Sequence, residues 1–206
     1  MARLAPTDEA RFFASVEYAS KFLMGDSDLH QALARLTRAL DDAGIPYAII
    51  GALALGEYGY RRTTDDVDVL LTADGLRAFK QTYLGRGYVE KFAGSKGMRD
   101  TAAGVTVDVV LAGDYPGDGK PKSVRFPDPA VEAVRGDAVA LLPLERLIEL
   151  KLASGISAPH RLRDLADVLE LIRLLGLPRD LTDGLDPYVH QKYDELWQAA
   201  QTGGDE

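Results

Sequence analysis

The segment Asp66-Val67-Asp68-Val69-Leu70-Leu71 alternates carboxylates with β-branched residues, and that alternation restricts how it can fold. On a strand, successive side chains point to opposite faces, so Asp66 and Asp68 share one face while Val67 and Val69 take the other. Two carboxylates roughly 7 Å apart along a strand repel each other unless a cation stands between them. A hard divalent ion such as Mg²⁺, held by carboxylate oxygens, relieves that repulsion. A second β-favouring run, Thr106–Leu111, carries Asp108 among β-branched neighbours, where an ionised carboxylate is expensive to bury without a partner. If the two runs are neighbouring strands, three carboxylates meet at one site.

Composition narrows the chemistry. The chain has 206 residues, no cysteine, three histidines (His30, His160 and His190) and a formal charge of −8. Zinc–thiolate clusters, disulfide frameworks and thiol nucleophiles are therefore excluded, and oxygen ligands are left to hold any metal. With 46% hydrophobic and 27% charged residues, the chain can bury a core as one moderate domain or two small ones. The acidic balance argues against a broad nucleic-acid-binding face and permits cationic ligands. Glu17 and Lys21 interrupt the apolar stretch Arg11–Leu23, and no run approaches the ~20 apolar residues of a membrane span. The expectation is a cytoplasmic protein.

The apolar spacing predicts helices over Asp8–Leu23 and from a capping Asp28 to about Ala43, ended by Gly44. Tyr47–Ile50 reads as a strand ending at Gly51, Ala52–Glu57 as a helix, Val67–Leu71 as a strand and Ala73–Arg86 as a helix closed by Gly87. Tyr88–Phe92 and Met98–Ala102 read as strands paired around Gly94–Gly97, and Ala138–Leu142 as one more. Asp114–Asp118 lacks EF-hand spacing and reads as a surface loop. Helices follow from Pro143, over His160–Leu175 up to Gly176, and over about Tyr188–Gln201, with Gly203–Glu206 a frayed tail. This is an α+β chain: a small mixed sheet flanked by helices in 1–142 and a C-terminal helical half in 143–206.

Gly51-Ala52, followed by Arg62-x-Thr64-x-Asp66-Val67-Asp68-Val69, resembles the signature of the DNA-polymerase-β-type nucleotidyltransferase superfamily. There a Gly-Gly or Gly-Ser opens a helix, Asp-x-Asp follows on a strand, and a third Asp lies on a neighbouring strand. Further on, Lys151-Leu152-Ala153 and Arg163-Asp164-x-x-Asp167 are similar to the Lys-Leu…Arg-Asp-x-x-Asp pattern of the AbiEii/AbiGii, or MenA-like, type IV toxin group. The matches span about Tyr47 to Ile172. Ala52 departs from the pattern: its backbone N–H survives, but a Ser hydroxyl is absent.

The resemblance implies a Mg²⁺-dependent nucleotidyltransferase that moves NMP from an NTP to a hydroxyl. Asp66, Asp68 and Asp108 would hold two Mg²⁺ ions, with Asp108 also a candidate base. Gly51 and Ala52 would offer backbone donors to the phosphates. Arg62 and Thr64 would contact phosphate or brace their loop. Lys151 would reach the triphosphate, or simply snorkel from an apolar helix face. Asp164, with Asp167 three residues on, would order Lys151 or Arg163, line the acceptor site, or join an ion-pair network with Arg161, Arg163 and Arg173. A toxin-like enzyme would modify tRNA 3′ ends and have an antitoxin partner. Lys91, Lys96, Arg99, Lys120, Lys122 and Arg125 are candidates for its basic surface, interrupted by Asp100, Asp114 and Asp118. A small cationic acceptor such as an antibiotic suits the acidic balance, and a non-catalytic nucleotide- or partner-binding module is the third reading. The histidines read as helix-surface residues, and Tyr188, Tyr193 and Trp197 as anchors of the last helix.

Overall fold

The structure, a computed structural model, describes residues 27–136 and 139–202. The helix expected over Asp8–Leu23 and the tail after Thr202 lie outside these residues. Among the described residues, seven strands form one mixed sheet: β1 (Tyr47–Ile49), β2 (Asp66–Leu71), β3 (Tyr88–Glu90), β4 (Met98–Asp100), β5 (Thr106–Leu111), β6 (Val134–Arg135) and β7 (Ala140–Leu141). Their spatial order is β3-β4-β5-β2-β1-β7-β6. The helices are α1 (Asp28–Asp42), α2 (Gly51–Glu57), α3 (Ala73–Tyr83), α4 (Pro129–Glu132), α5 (Leu144–Ser157), α6 (Leu162–Leu175) and α7 (Pro187–Thr202). A 3₁₀ turn at Arg179–Gly184 precedes α7. The α+β architecture expected from the sequence is present.

The centre of the sheet is the pair β2 and β5. They run parallel and in register over six residues, from Asp66 opposite Thr106 to Leu71 opposite Leu111. Val67, Val69 and Val107 are fully buried, whereas Asp66, Asp68 and Asp108 on the other face are only half-buried. Each such aliphatic side chain contributes about 1.5–3 kcal/mol on burial, which commits this face of the strand to the core. β1 runs antiparallel to β2 on one side, and β4 antiparallel to β5 on the other. One hydrophobic core continues from Leu36 and Leu40 of α1 through the sheet to Ile148 of α5, Leu171 of α6 and Tyr193 of α7.

Several element boundaries differ from expectation for local reasons. Ser27, not Asp28, takes the N-cap position of α1, and Asp28 sits in its first turn, where a carboxylate favours the helix dipole. α3, capped by the Thr72 hydroxyl accepting from the Gly75 N–H, stops at Tyr83 rather than Arg86. Leu84 is extended and bridges Tyr88, and Gly85 turns the chain at φ 76°. α6 starts at Leu162, so His160 lies before the helix, and Gly176 closes it in the left-handed conformation. The strand expected over Ala138–Leu142 is observed as Ala140–Leu141. The four-residue α4, β6 and the 3₁₀ turn were not expected, although Asp128 caps α4 and Pro129 opens it.

Anchoring of α7 follows expectation at two of three aromatics. The Tyr193 hydroxyl donates to the Pro178 carbonyl at 2.9 Å and the Trp197 indole N–H to the Leu177 carbonyl at 3.0 Å. Tyr188 instead stands 39% exposed. Among the described residues, no helix is long and apolar enough to cross a membrane.

Candidate active site

The three aspartates converge. Because side chains at matched positions of adjacent parallel strands point the same way, the register that sets Asp68 beside Asp108 puts both on the face already occupied by Asp66. One carboxylate oxygen from each lies within 4.8 Å of the others. They form the floor of an open cleft of about 840 Å³ that α5 and the start of α6 wall on one side. Burial, followed by the charges of Asp66 and Asp108, pushes the Asp68 carboxyl up to about 7, against the opposing pull of Lys151 and Arg62. An all-oxygen, mutually repelling donor set of this kind fits a hard divalent cation.

Gly51 explains how α2 meets this floor. Its φ of 67° favours glycine, and a Cβ there would stand 2.0 Å from Asp68 Oδ2. The Ile50 N–H donates to the Asp68 carbonyl at 3.0 Å, tying the two segments together. Gly51 lines the cleft; Ala52, 3% exposed, does not. The position of the departure from Gly or Ser is thus a packing position for the side chain. Thr64 donates its hydroxyl to Asp66 Oδ1 at 2.5 Å, bracing the first aspartate from the preceding loop.

Behind the triad lies a connected set of charges. Arg62 donates to both oxygens of Asp167, at 2.8 and 3.0 Å. Lys151 donates to Asp167 at 2.7 Å and to Asp164 at 3.0 Å, and the Ser154 hydroxyl donates to Asp164 at 2.6 Å. Asp167 is 1% exposed and Lys151 8%, so this network is interior and locks the Arg62 loop to α5 and α6. Burial works to raise the Asp164 carboxyl, but the Lys151 charge and the hydrogen bonds from Ser154 and Lys151 outweigh it and hold it below the ordinary carboxylate range. Lys151 therefore neither snorkels to solvent nor projects an unpaired ammonium: it lines the cleft with two carboxylates on it. Of the arginines expected beside Asp164 and Asp167, Arg161 stands 3.8 Å from Asp164, while Arg173 pairs with Glu170 on the same helix.

The six basic candidates divide. Lys96 pairs with Asp114 and Lys122 with Asp118, both at 2.8 Å, which reduces the open basic surface around the strand loops. Lys91 reaches the triad itself, donating to Asp108 Oδ1 at 2.9 Å. Sequence reasoning assigned no site role to Phe92, which lines the cleft 69% exposed, or to His160, which lines it beside Arg161 and Arg163. An exposed aromatic beside the Gly94–Gly97 turn was the available signal for Phe92. His160 had none, because its place depends on where α6 begins.

The mixed sheet and its flanking helices are similar in fold to solved nucleotidyltransferases. The antibiotic-resistance factor ANT(2″)-Ia, solved in complex with adenylyl-2″-tobramycin, is similar in structure with a TM-score of 0.50 and 14% identity, over 84% of this chain and 96% of that one. A nucleotidyltransferase-like protein from Paracoccidioides brasiliensis gives a TM-score of 0.48 and 17% identity over 84% and 92% of the two chains. JHP933 from Helicobacter pylori gives 0.46 and 16% over 84% and 89%. No family model and no curated protein matches the chain.

Proposed function

We propose that this protein transfers a nucleoside monophosphate from an NTP to a hydroxyl acceptor. The observation that carries the reading is the convergence of Asp66, Asp68 and Asp108 within 4.8 Å on the cleft floor. These three residues would hold Mg²⁺, two ions in the arrangement the resemblance implies. When bound, the metal neutralises charge on the triphosphate and its leaving pyrophosphate.

The chain's own groups then have definite work. The acceptor oxygen attacks the α-phosphorus, the bond to the bridging oxygen breaks, and pyrophosphate departs. Asp108, 39% exposed at its side chain, would take the hydroxyl proton. Gly51 lets the entry to α2 lie close against Asp68, and its backbone would face the phosphate oxygens. Thr64 orients Asp66, and the charge-balanced Arg62–Asp167–Lys151–Asp164 network holds the cleft wall in place.

For the acceptor, the reading is a tRNA 3′ end, as for a toxin-like enzyme, which would have an antitoxin partner. Exposed Phe92 offers a stacking face, and Arg161 and Arg163 offer phosphate contacts at the cleft rim. A small cationic acceptor is the alternative, favoured by the charge of −8. Incubation with Mg²⁺, labelled NTPs and either total RNA or a panel of aminoglycosides separates the two. Label in RNA that disappears in Asp68→Asn supports the first, and label in the small molecules the second. No labelled acceptor together with no binding of Mg·NTP would overturn transfer altogether and leave a non-catalytic module.

A further inference from the structure

Lys91 lies immediately after β3, yet its ammonium rests on β5, two strands away, at 2.9 Å from Asp108 Oδ1. We propose that Lys91 is a built-in placeholder cation: it neutralises Asp108 in the metal-free protein and is displaced when a divalent ion takes that carboxylate. The inference rests on reading the aspartate triad as a metal site.

Three features show that the contact is built. The lysine stem passes over Gly97, the residue before β4, where a Cβ would come within 2.8 Å of Lys91 Cδ and 3.1 Å of Asp108 Oδ1, so a side chain at this position would obstruct the path. The Lys91 N–H donates to the Gly97 carbonyl at 3.2 Å, which anchors the base of the stem. The surrounding loop is braced independently: Lys80 donates to Glu90 and to the Ser95 carbonyl, and Glu90 accepts from the Gly94 N–H. The lysine side chain can therefore leave without the loop unfolding.

Charge and exposure make the contact exchangeable. One ammonium cannot balance three carboxylates within 4.8 Å of one another, whereas a divalent ion with oxygen ligands comes closer. Lys91 and Asp108 are 38% and 39% exposed at their side chains, so water solvates both partners as they separate. Two cations on one carboxylate repel each other, which makes metal and lysine competitors for Asp108.

The test measures Mn²⁺ binding by electron paramagnetic resonance of the free ion, with no substrate present. Lys91→Gln is expected to bind Mn²⁺ about fivefold more tightly than the wild type. Lys91→Arg, which keeps the competing charge, is expected to stay nearer the wild-type affinity. Lys96→Gln removes an equal charge from the cleft, paired with Asp114 rather than the triad, and should change affinity far less. Equal or weaker binding by Lys91→Gln, or an equal gain from Lys96→Gln, would overturn the placeholder role while leaving the metal site standing. Absence of Mn²⁺ binding by the wild type and Lys91→Gln alike would overturn both readings.

Discussion

Asp68 and Asp108 stand opposite each other on adjacent parallel strands, two carboxylates fixed by backbone register on one face of the sheet. Asp66, two residues before Asp68, completes a group in which each negative charge raises the cost of the next. Such a group opposes folding in the absence of a counter-ion and is retained where function requires it.

Asp68→Asn is accordingly expected to abolish nucleotidyl transfer while raising metal-free stability by about 0.5–2 kcal/mol, because it removes one of three clustered charges. Urea denaturation with and without Mg²⁺, alongside a transfer assay, checks both halves. A destabilised variant would show that the carboxylate is structural.

The Asp68 carboxyl is pushed up to about 7 from an ordinary 3.8. Between those values the folded protein retains a proton that the unfolded chain has released, so this group's contribution to metal-free stability falls as pH rises from about 4 to 7. Mg²⁺ competes with that proton. The increase in melting temperature on adding Mg²⁺ should therefore be larger at pH 8 than at pH 5.5, and thermal melts at the two pH values measure it. A larger increase at pH 5.5 would contradict the assignment of Asp68 as a ligand.

Gly51→Ala places a methyl at positive φ and against the Asp68 carboxylate at once. The expected cost is about 1–3 kcal/mol of stability with loss of transfer, since either α2 or Asp68 must shift. Gly56→Ala in the same helix, where a Cβ meets nothing within 4 Å, serves as the control and should be nearly neutral.

Asp167→Ala leaves Arg62 and Lys151 facing each other without their shared carboxylate. Removing one partner of a buried ionic network costs about 3–5 kcal/mol, and chemical denaturation should find a loss of that order. Asp194→Ala, which breaks an exposed pair with Arg179, should leave the denaturation midpoint nearly unchanged.

Much of the site was legible because it is written in short-range pattern. Thr106–Leu111 is a strand over the residues its β-branched run predicts, and β2 begins one residue earlier than expected, at Asp66. The hairpin around Gly94–Gly97 is present, although its strands are only three residues each. The network was less legible. Asp164 and Asp167 were expected to share a helix side and to order Lys151, and they do, but their second cation, Arg62, lies 105 residues from Asp167 and had no signal. Lys91 appeared as one basic residue among six, since nothing local says that a lysine after β3 ends on β5.

The sequence by itself determined which residues share a face: strand alternation sets Asp66 with Asp68, and helix spacing sets Asp164 with Asp167, because both follow from backbone geometry within a few residues. Only the tertiary structure decided which faces meet. The parallel register of β2 and β5, the Lys91 path over Gly97 and the closing of Lys151 onto two carboxylates join segments far apart in the chain. Those contacts form when the buried valine faces of the sheet and the apolar stripes of the helices pack into one core, and the polar groups on the opposite faces are carried into place with them.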